Sequence, residues 1–190
     1  MKALKPVFAL LSALLLAGCD CMSASGETSW KEEVQLSSGT KIWVKRTVKG
    51  EASCQLGGPN SYETSGEELE VIASAGLPVP PKWSDEWNIM VLDRDKEGTW
   101  YLVVNPVDTR RWISKLPYAQ FKAIDGKWQQ VEFDKSLDGR DANLEYTLKV
   151  GKMPKEIFLH DKPLNRVHSK EFKSNVPSRY KYINLDTKYW

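Results

Sequence analysis

The chain has 190 residues, 41% hydrophobic and 27% charged, with a formal net charge of +2. That near-balance gives no support for nucleic-acid binding, and the length suits a single domain with a real core. After the first eighteen residues no stretch approaches the ~20 apolar residues that a membrane-spanning helix needs.

At the N-terminus, Lys2 and Lys5 precede an apolar run from Val7 to Leu16 that is broken only by Ser12. This is the basic and apolar layout of a signal peptide, and the run is too short to serve as a permanent span. Leu16-Ala17-Gly18-Cys19 follows directly and resembles the lipobox of bacterial lipoproteins. Small residues let an intramembrane peptidase reach the backbone, and a thiol has the nucleophilicity to take a diacylglyceryl group as a thioether. The resemblance implies that residues 1–18 are removed and that Cys19 carries fatty acids, palmitate among them. Two or three acyl chains anchor a protein stably where one does not. Asp20 resembles the signal that withholds lipoproteins of enteric bacteria from outer-membrane sorting. The expected location is therefore the periplasmic face of the inner membrane, in preference to the outer membrane.

Loss of the signal would leave 172 residues with 25 basic and 25 acidic side chains. The charge is uneven: residues 19–148 hold 15 basic and 21 acidic residues, and residues 149–190 hold 10 and 4. Packing of the basic C-terminal segment on the acidic body explains this, as does an anionic partner. Cys21 and Cys54 remain once Cys19 takes lipid. An oxidising compartment permits a bridge between them without requiring one. Asp20 to Ser29 reads as a polar tether, with a root-mean-square span of roughly 17 Å as a flexible chain.

From Trp30 to Trp190 the pattern is that of one β-rich domain. Trp30, Glu32, Val34 and Leu36 share one face of a strand, and Ser37 to Thr40 makes a turn. Ile42, Val44 and Arg46 then alternate against Trp43, Lys45 and Thr47, completing a hairpin. Gly57-Gly58-Pro59-Asn60 marks a loop, and Glu68 to Ala73 a short strand. Pro78, Pro80 and Pro81 favour an extended linker. Trp87–Asp93 and Thr99–Asn105 are the most apolar pair of strands. The unbroken Ile89-Met90-Val91-Leu92 predicts burial on both faces, at the middle of the fold. Tyr118–Ile124 and Lys127–Phe133 flank Asp125-Gly126, a short hairpin turn. Gly39, Gly98 and Gly126 each introduce an aromatic-rich strand, as hairpins of a meander do. Beyond Asp134, Leu144–Val150 suggests a strand and Leu164, Val167, His168 and Phe172 a helix. Tyr180 to Trp190 is aromatic enough to dock on the domain. The expected fold is mainly β: an antiparallel meander forming a sandwich or partly closed barrel, with a small C-terminal helical addition.

Trp30-Lys31-Glu32-Glu33-Val34-Gln35-Leu36 with Gly39 is similar to the opening of a group of proteobacterial lipoproteins. Tyr101-Leu102-Val103, Pro117-Tyr118, Phe121-Lys122 and Asp125-Gly126-Lys127-Trp128 are similar to later stretches of that group. These pieces cover about half the chain, and the group carries no assigned activity.

Candidate chemistry is sparse. Asp93-Arg94-Asp95-Lys96-Glu97-Gly98 has the start of a calcium loop, but Val104 stands where the closing glutamate belongs, so no metal is expected. His160-Asp161 and His168-Ser169 contain triad components without a Gly-x-Ser-x-Gly elbow, and they read as surface residues. Phosphate-binding and dinucleotide fingerprints are absent from the sequence, so neither a cofactor nor an enzyme is expected. Of eight tryptophans, Trp112 beside Arg110 and Arg111 is the preferred partner-binding patch, with Trp83 in reserve. The leading expectation is a membrane-anchored periplasmic lipoprotein with a non-catalytic domain that binds a protein partner, one concrete version being an immunity-type protein. The alternative is a glycan- or peptidoglycan-binding envelope module.

Overall fold

The computed structural model describes residues 25–53, 61–106, 116–145, 153–162 and 182–186. Cys19, Asp20, Cys21, Cys54, Arg110, Arg111 and Trp112 lie outside the described residues, as do the glycine-rich loop after Cys54 and the helix expected from Leu164. Two sheets stack face to face as a sandwich, without closing into a barrel.

The first sheet is a meander of β1 (Ser25–Gln35), β2 (Lys41–Ser53), β3 (Ser61–Ala73) and β4 (Trp83–Asp85). A short β9 (Glu156–Ile157) adds to the open edge of β1, giving the order β4-β3-β2-β1-β9. β9 runs parallel to β1, with Lys31 opposite Glu156 and Glu32 opposite Ile157, which is one departure from an antiparallel meander. The second sheet has the order β5-β6-β7-β8, from Trp87–Arg94, Trp100–Pro106, Ala119–Ile124 and Lys127–Val131. The C-terminal helical content among the described residues is limited to short 3-10 turns, such as Leu159–Asp161.

β1 begins at Ser25, inside the stretch that reads as tether from composition. Its polar residues are held by the ladder: Ser29 faces Thr47, and their hydroxyls hydrogen-bond at 2.8 Å. β3 is also longer than its apolar portion, because its first half pairs with the far end of β2.

Alternation places Val34, Leu36, Ile42, Val44, Leu69 and Val71 against Leu92, Trp100, Leu102, Val104 and Phe121 between the sheets. Ile89, Met90, Val91 and Leu92 are all buried, as their continuity predicts. A bulge between Ile89 and Val91 turns Met90 and Val91 to the outer face, where Tyr101, Val103, Tyr118 and Ile183 cover them. β5 is nevertheless an edge strand. Its open backbone is sealed by Asn143, which accepts from Leu92 N at 3.0 Å and donates to Leu92 O at 2.8 Å, reproducing a strand partner with one amide. Ile183 docks beside it through Gly139 and Arg140, which ties residues 182–186 to the domain.

The hairpin turns follow the glycines. Gly39, Gly98 and Gly126 all have positive φ, and at Asp125-Gly126 both central residues do (50° and 73°), the geometry that matches strand twist. The proline-rich linker is fixed by two indoles: Trp100 donates to Pro78 O at 2.7 Å and Trp128 to Pro81 O at 2.8 Å.

Candidate functional site

Two features stand apart from an ordinary sandwich. The first is a quartet of buried charges at one end of the core. The same alternation that buries Trp30 and Val34 sends Glu32 inward from β1, Arg46 from β2 and Glu67 from β3. The registers place Trp30 opposite Arg46, with Glu32 and Glu67 on its diagonals. Arg46 donates from Nε to Glu67 at 2.5 Å and from Nη1 to Glu32 at 2.9 Å and to Glu145 O at 2.6 Å. Its Nη2 also pairs with Glu67, and its guanidinium lies 4.9 Å from the Trp30 ring centroid. Lys162 completes the quartet, reaching Glu32 at 2.7 Å and Asn143 O at 2.8 Å.

Two carboxylates thus face two cations, and donors surround each carboxylate. Glu32 also accepts from Trp30 Nε1 at 3.1 Å and Glu145 N at 2.6 Å, and Glu67 from Ile89 N at 3.0 Å. Burial alone would raise the pKa of Glu32, but Arg46 and Lys162 outweigh it and hold the group below its ordinary value. At Glu67 burial wins over Arg46 and the Ile89 N–H, and the pKa is raised. Burial likewise pushes Lys162 down against the pull of Glu32. The groups are consumed by one another and by backbone, so the quartet works as a latch. It ties β1, β2 and β3 to β5, to residues 143–145 and to Lys162.

The second feature lies on the opposite, outward face of the same sheet. Phe158 follows β9 and its ring meets Trp43 of β2 edge to face, with centroids 5.2 Å apart and planes at 89°. His160 stacks on Phe158 at 5.5 Å. Phe158 is 38% exposed. Lys41, Trp43 and Lys45 project from β2 on this face, and Glu33, opposite Trp43, accepts from Leu159 N at 3.0 Å. A strap from Lys155 to Lys162 therefore carries Phe158 across Trp43. It is held by β9 and the Lys31–Glu156 ion pair at one end and by the Lys162 latch at the other.

The residues singled out from sequence fare differently. Trp83 is 2% exposed and packs edge to face on Phe121 at 4.8 Å and on Trp128 at 6.1 Å. It is a core residue and offers no exposed anchor, because β4 turns it inward beneath the linker. His160 and Asp161 are exposed and lie 3.3 Å apart, and Asp161 also accepts from Phe158 N within the 3-10 turn. In the hairpin with calcium-loop character, Asp93 is buried and accepts from Ser37 N and Arg94 N and pairs with Arg140. Asp95 accepts from Thr99 N at 2.8 Å and Lys122 Nζ at 2.7 Å. Both carboxylates are committed to protein donors, and the described residues hold no group of three His, Cys, Asp or Glu placed for a metal.

Among the described residues no helix is long and apolar enough to cross a membrane. No family model, no curated protein and no solved structure matches the chain.

Proposed function

We propose that the chain is an envelope lipoprotein, acylated on Cys19 and retained by Asp20 on the periplasmic face of the inner membrane. Its β-domain binds a protein partner without catalysing a reaction, in the manner of an immunity protein. The observation that supports binding is the exposed Phe158 ring packed on the half-buried Trp43, on a sheet face that also exposes Ile72 among charged and polar side chains. Exposed aromatics held rigidly by their backbone are the residues that dominate protein interfaces. The perpendicular rings favour a protein over a glycan, because they form a notch rather than the flat platform on which a sugar ring stacks.

Three measurements test this reading. Cys19→Ala should abolish fatty-acid labelling, and Asp20→Ser should move the protein toward the outer membrane in an enteric host. A variant that still labels would overturn the anchor. A benzophenone side chain in place of Phe158 should give protein adducts in cells, while the same group in place of the exposed Gln129 on β8 should not. Absence of adducts at position 158 would refute partner binding through this face.

A further inference from the structure

We propose that the outward stripe Lys41-Trp43-Lys45, with Phe158 beside it, docks an acidic extended segment that carries one apolar side chain between two carboxylates. The proposal deepens the partner-binding reading above and rests on it.

Charge on this face is unevenly compensated. Lys31 pairs with Glu156 at 3.3 Å, and Glu68 takes both Lys49 at 2.6 Å and Lys82 at 2.5 Å. Lys41 and Lys45 are exposed and have no ion pair among the described residues. Lys41 stands opposite Gln35, and Lys45 stands between Lys31 and Glu70 without closing an ion pair to the latter. The carboxylate opposite Trp43, Glu33, is already engaged by Leu159 N. Two cations without an ion pair among the described residues therefore bracket an aromatic side chain, and the exposed Glu70 beside Lys45 is the one carboxylate opposite them that closes no pair to either.

Spacing then defines the ligand. Alternate residues of a strand share a face at about 6.8 Å intervals, so Lys41 and Lys45 are about 14 Å apart with Trp43 midway. An extended segment laid along β2 meets that pattern with acidic residues at its first and fifth positions and an apolar residue at the third. The pattern reads the same in either chain direction. The apolar side chain would enter the angle between the Trp43 and Phe158 rings, and the lysines would take the carboxylates at the rim, where they add steering and specificity.

The probe is a fluorescent nonapeptide centred on Glu-x-Leu-x-Glu, titrated against the full chain in detergent. Comparison peptides carry Lys-x-Leu-x-Lys and Glu-x-Ser-x-Glu. The first should bind, weaken as salt rises, and lose about tenfold or more with Trp43→Ala or with Lys41→Glu/Lys45→Glu, thermal melts confirming that the variants fold. Equal binding of the lysine peptide, no binding of the glutamate peptide, or indifference to the lysine reversal would overturn the proposal. So would binding of phosphatidylglycerol vesicles in its place, which would assign the stripe to lipid. Benzophenone adducts at position 158 keep the two levels apart. Adducts without acidic preference sink only this inference, no adducts sink the reading beneath it, and adducts that are dimers of the chain assign the face to a second copy.

Discussion

Arg46→Met tests whether the buried quartet is a latch of matched charges. Arg46 is 1% exposed, so its removal leaves no route for water to replace it without opening the sandwich. Glu32 would keep Lys162, Trp30 Nε1 and Glu145 N, whereas Glu67 would keep only Ile89 N. The quartet would fall from balanced to one excess negative charge. Breaking a buried pair on one side costs about 3–5 kcal/mol, a large share of the roughly 5–15 kcal/mol that holds a domain folded. In a chain of this size that corresponds to a melting temperature lowered by about 6–20 °C. Glu67→Gln supplies the control, since the amide oxygen can still accept from Ile89 N while the charge disappears. Combining it with Arg46→Met restores neutrality, so the double variant should be more stable than the sum of the single effects by about 1–3 kcal/mol. Circular-dichroism melts and urea titrations of the four proteins measure the cycle. A single variant that melts within a few degrees of the parent, or strictly additive losses, would refute the latch.

Other perturbations test the surroundings. The side-chain hydrogen bonds of Lys49 and Lys82 hold the Glu68 carboxyl at a pKa of about 2. Its stabilisation is present above the ordinary carboxylate range and is lost as pH falls through that range towards 2. Glu68→Gln should flatten the acid limb of a stability-versus-pH curve by less than about 1 kcal/mol, because the group lies near solvent. An unchanged limb would count against the ion pairs. Calcium or chelator should leave the melting temperature unchanged, and Asp93→Ala should lower it equally in both, since that carboxylate serves Arg140 and two backbone N–H groups. A calcium-specific shift lost in Asp93→Ala would reverse that assignment. Trp83→Ala should cost about 3–5 kcal/mol as a core truncation. Normal stability with lost partner adducts would return Trp83 to the list of anchors.

The legible parts of this fold were those that depend on neighbours in sequence. Alternation from Trp30 to Leu36 and from Ile42 to Arg46, with Gly39 between, is sufficient for a hairpin whose inner face is known. Asp125-Gly126 specifies its turn because both positions need positive φ. The long apolar run around Met90 correctly announced burial on both faces. It could not announce an edge strand, because the group that seals the edge is Asn143, which lies 51 positions beyond Leu92. β9 was equally hidden: two residues carry no periodicity, and what fixes them is the open edge of β1.

The same distinction governs the functional features. Glu32 and Arg46 could be placed on the inner face from alternation alone, and a charged residue on a core face demands a partner. The signal was present at that level. The partner's identity was not, because Lys162 reaches Glu32 from 130 residues away and Glu67 precedes the apolar part of its strand. Trp83 shows the converse failure. A tryptophan after three prolines reads as exposed when loops are taken as surface, yet three strand residues are enough to turn it into the core. Trp43 carried no stronger signal than the other strand tryptophans, and only the strap that brings Phe158 to it makes the pair a surface feature. That strap is secured by Lys162, so the buried latch and the outward aromatic notch are two faces of one construction. The inward ion pair sets the position of the ring that a partner would meet.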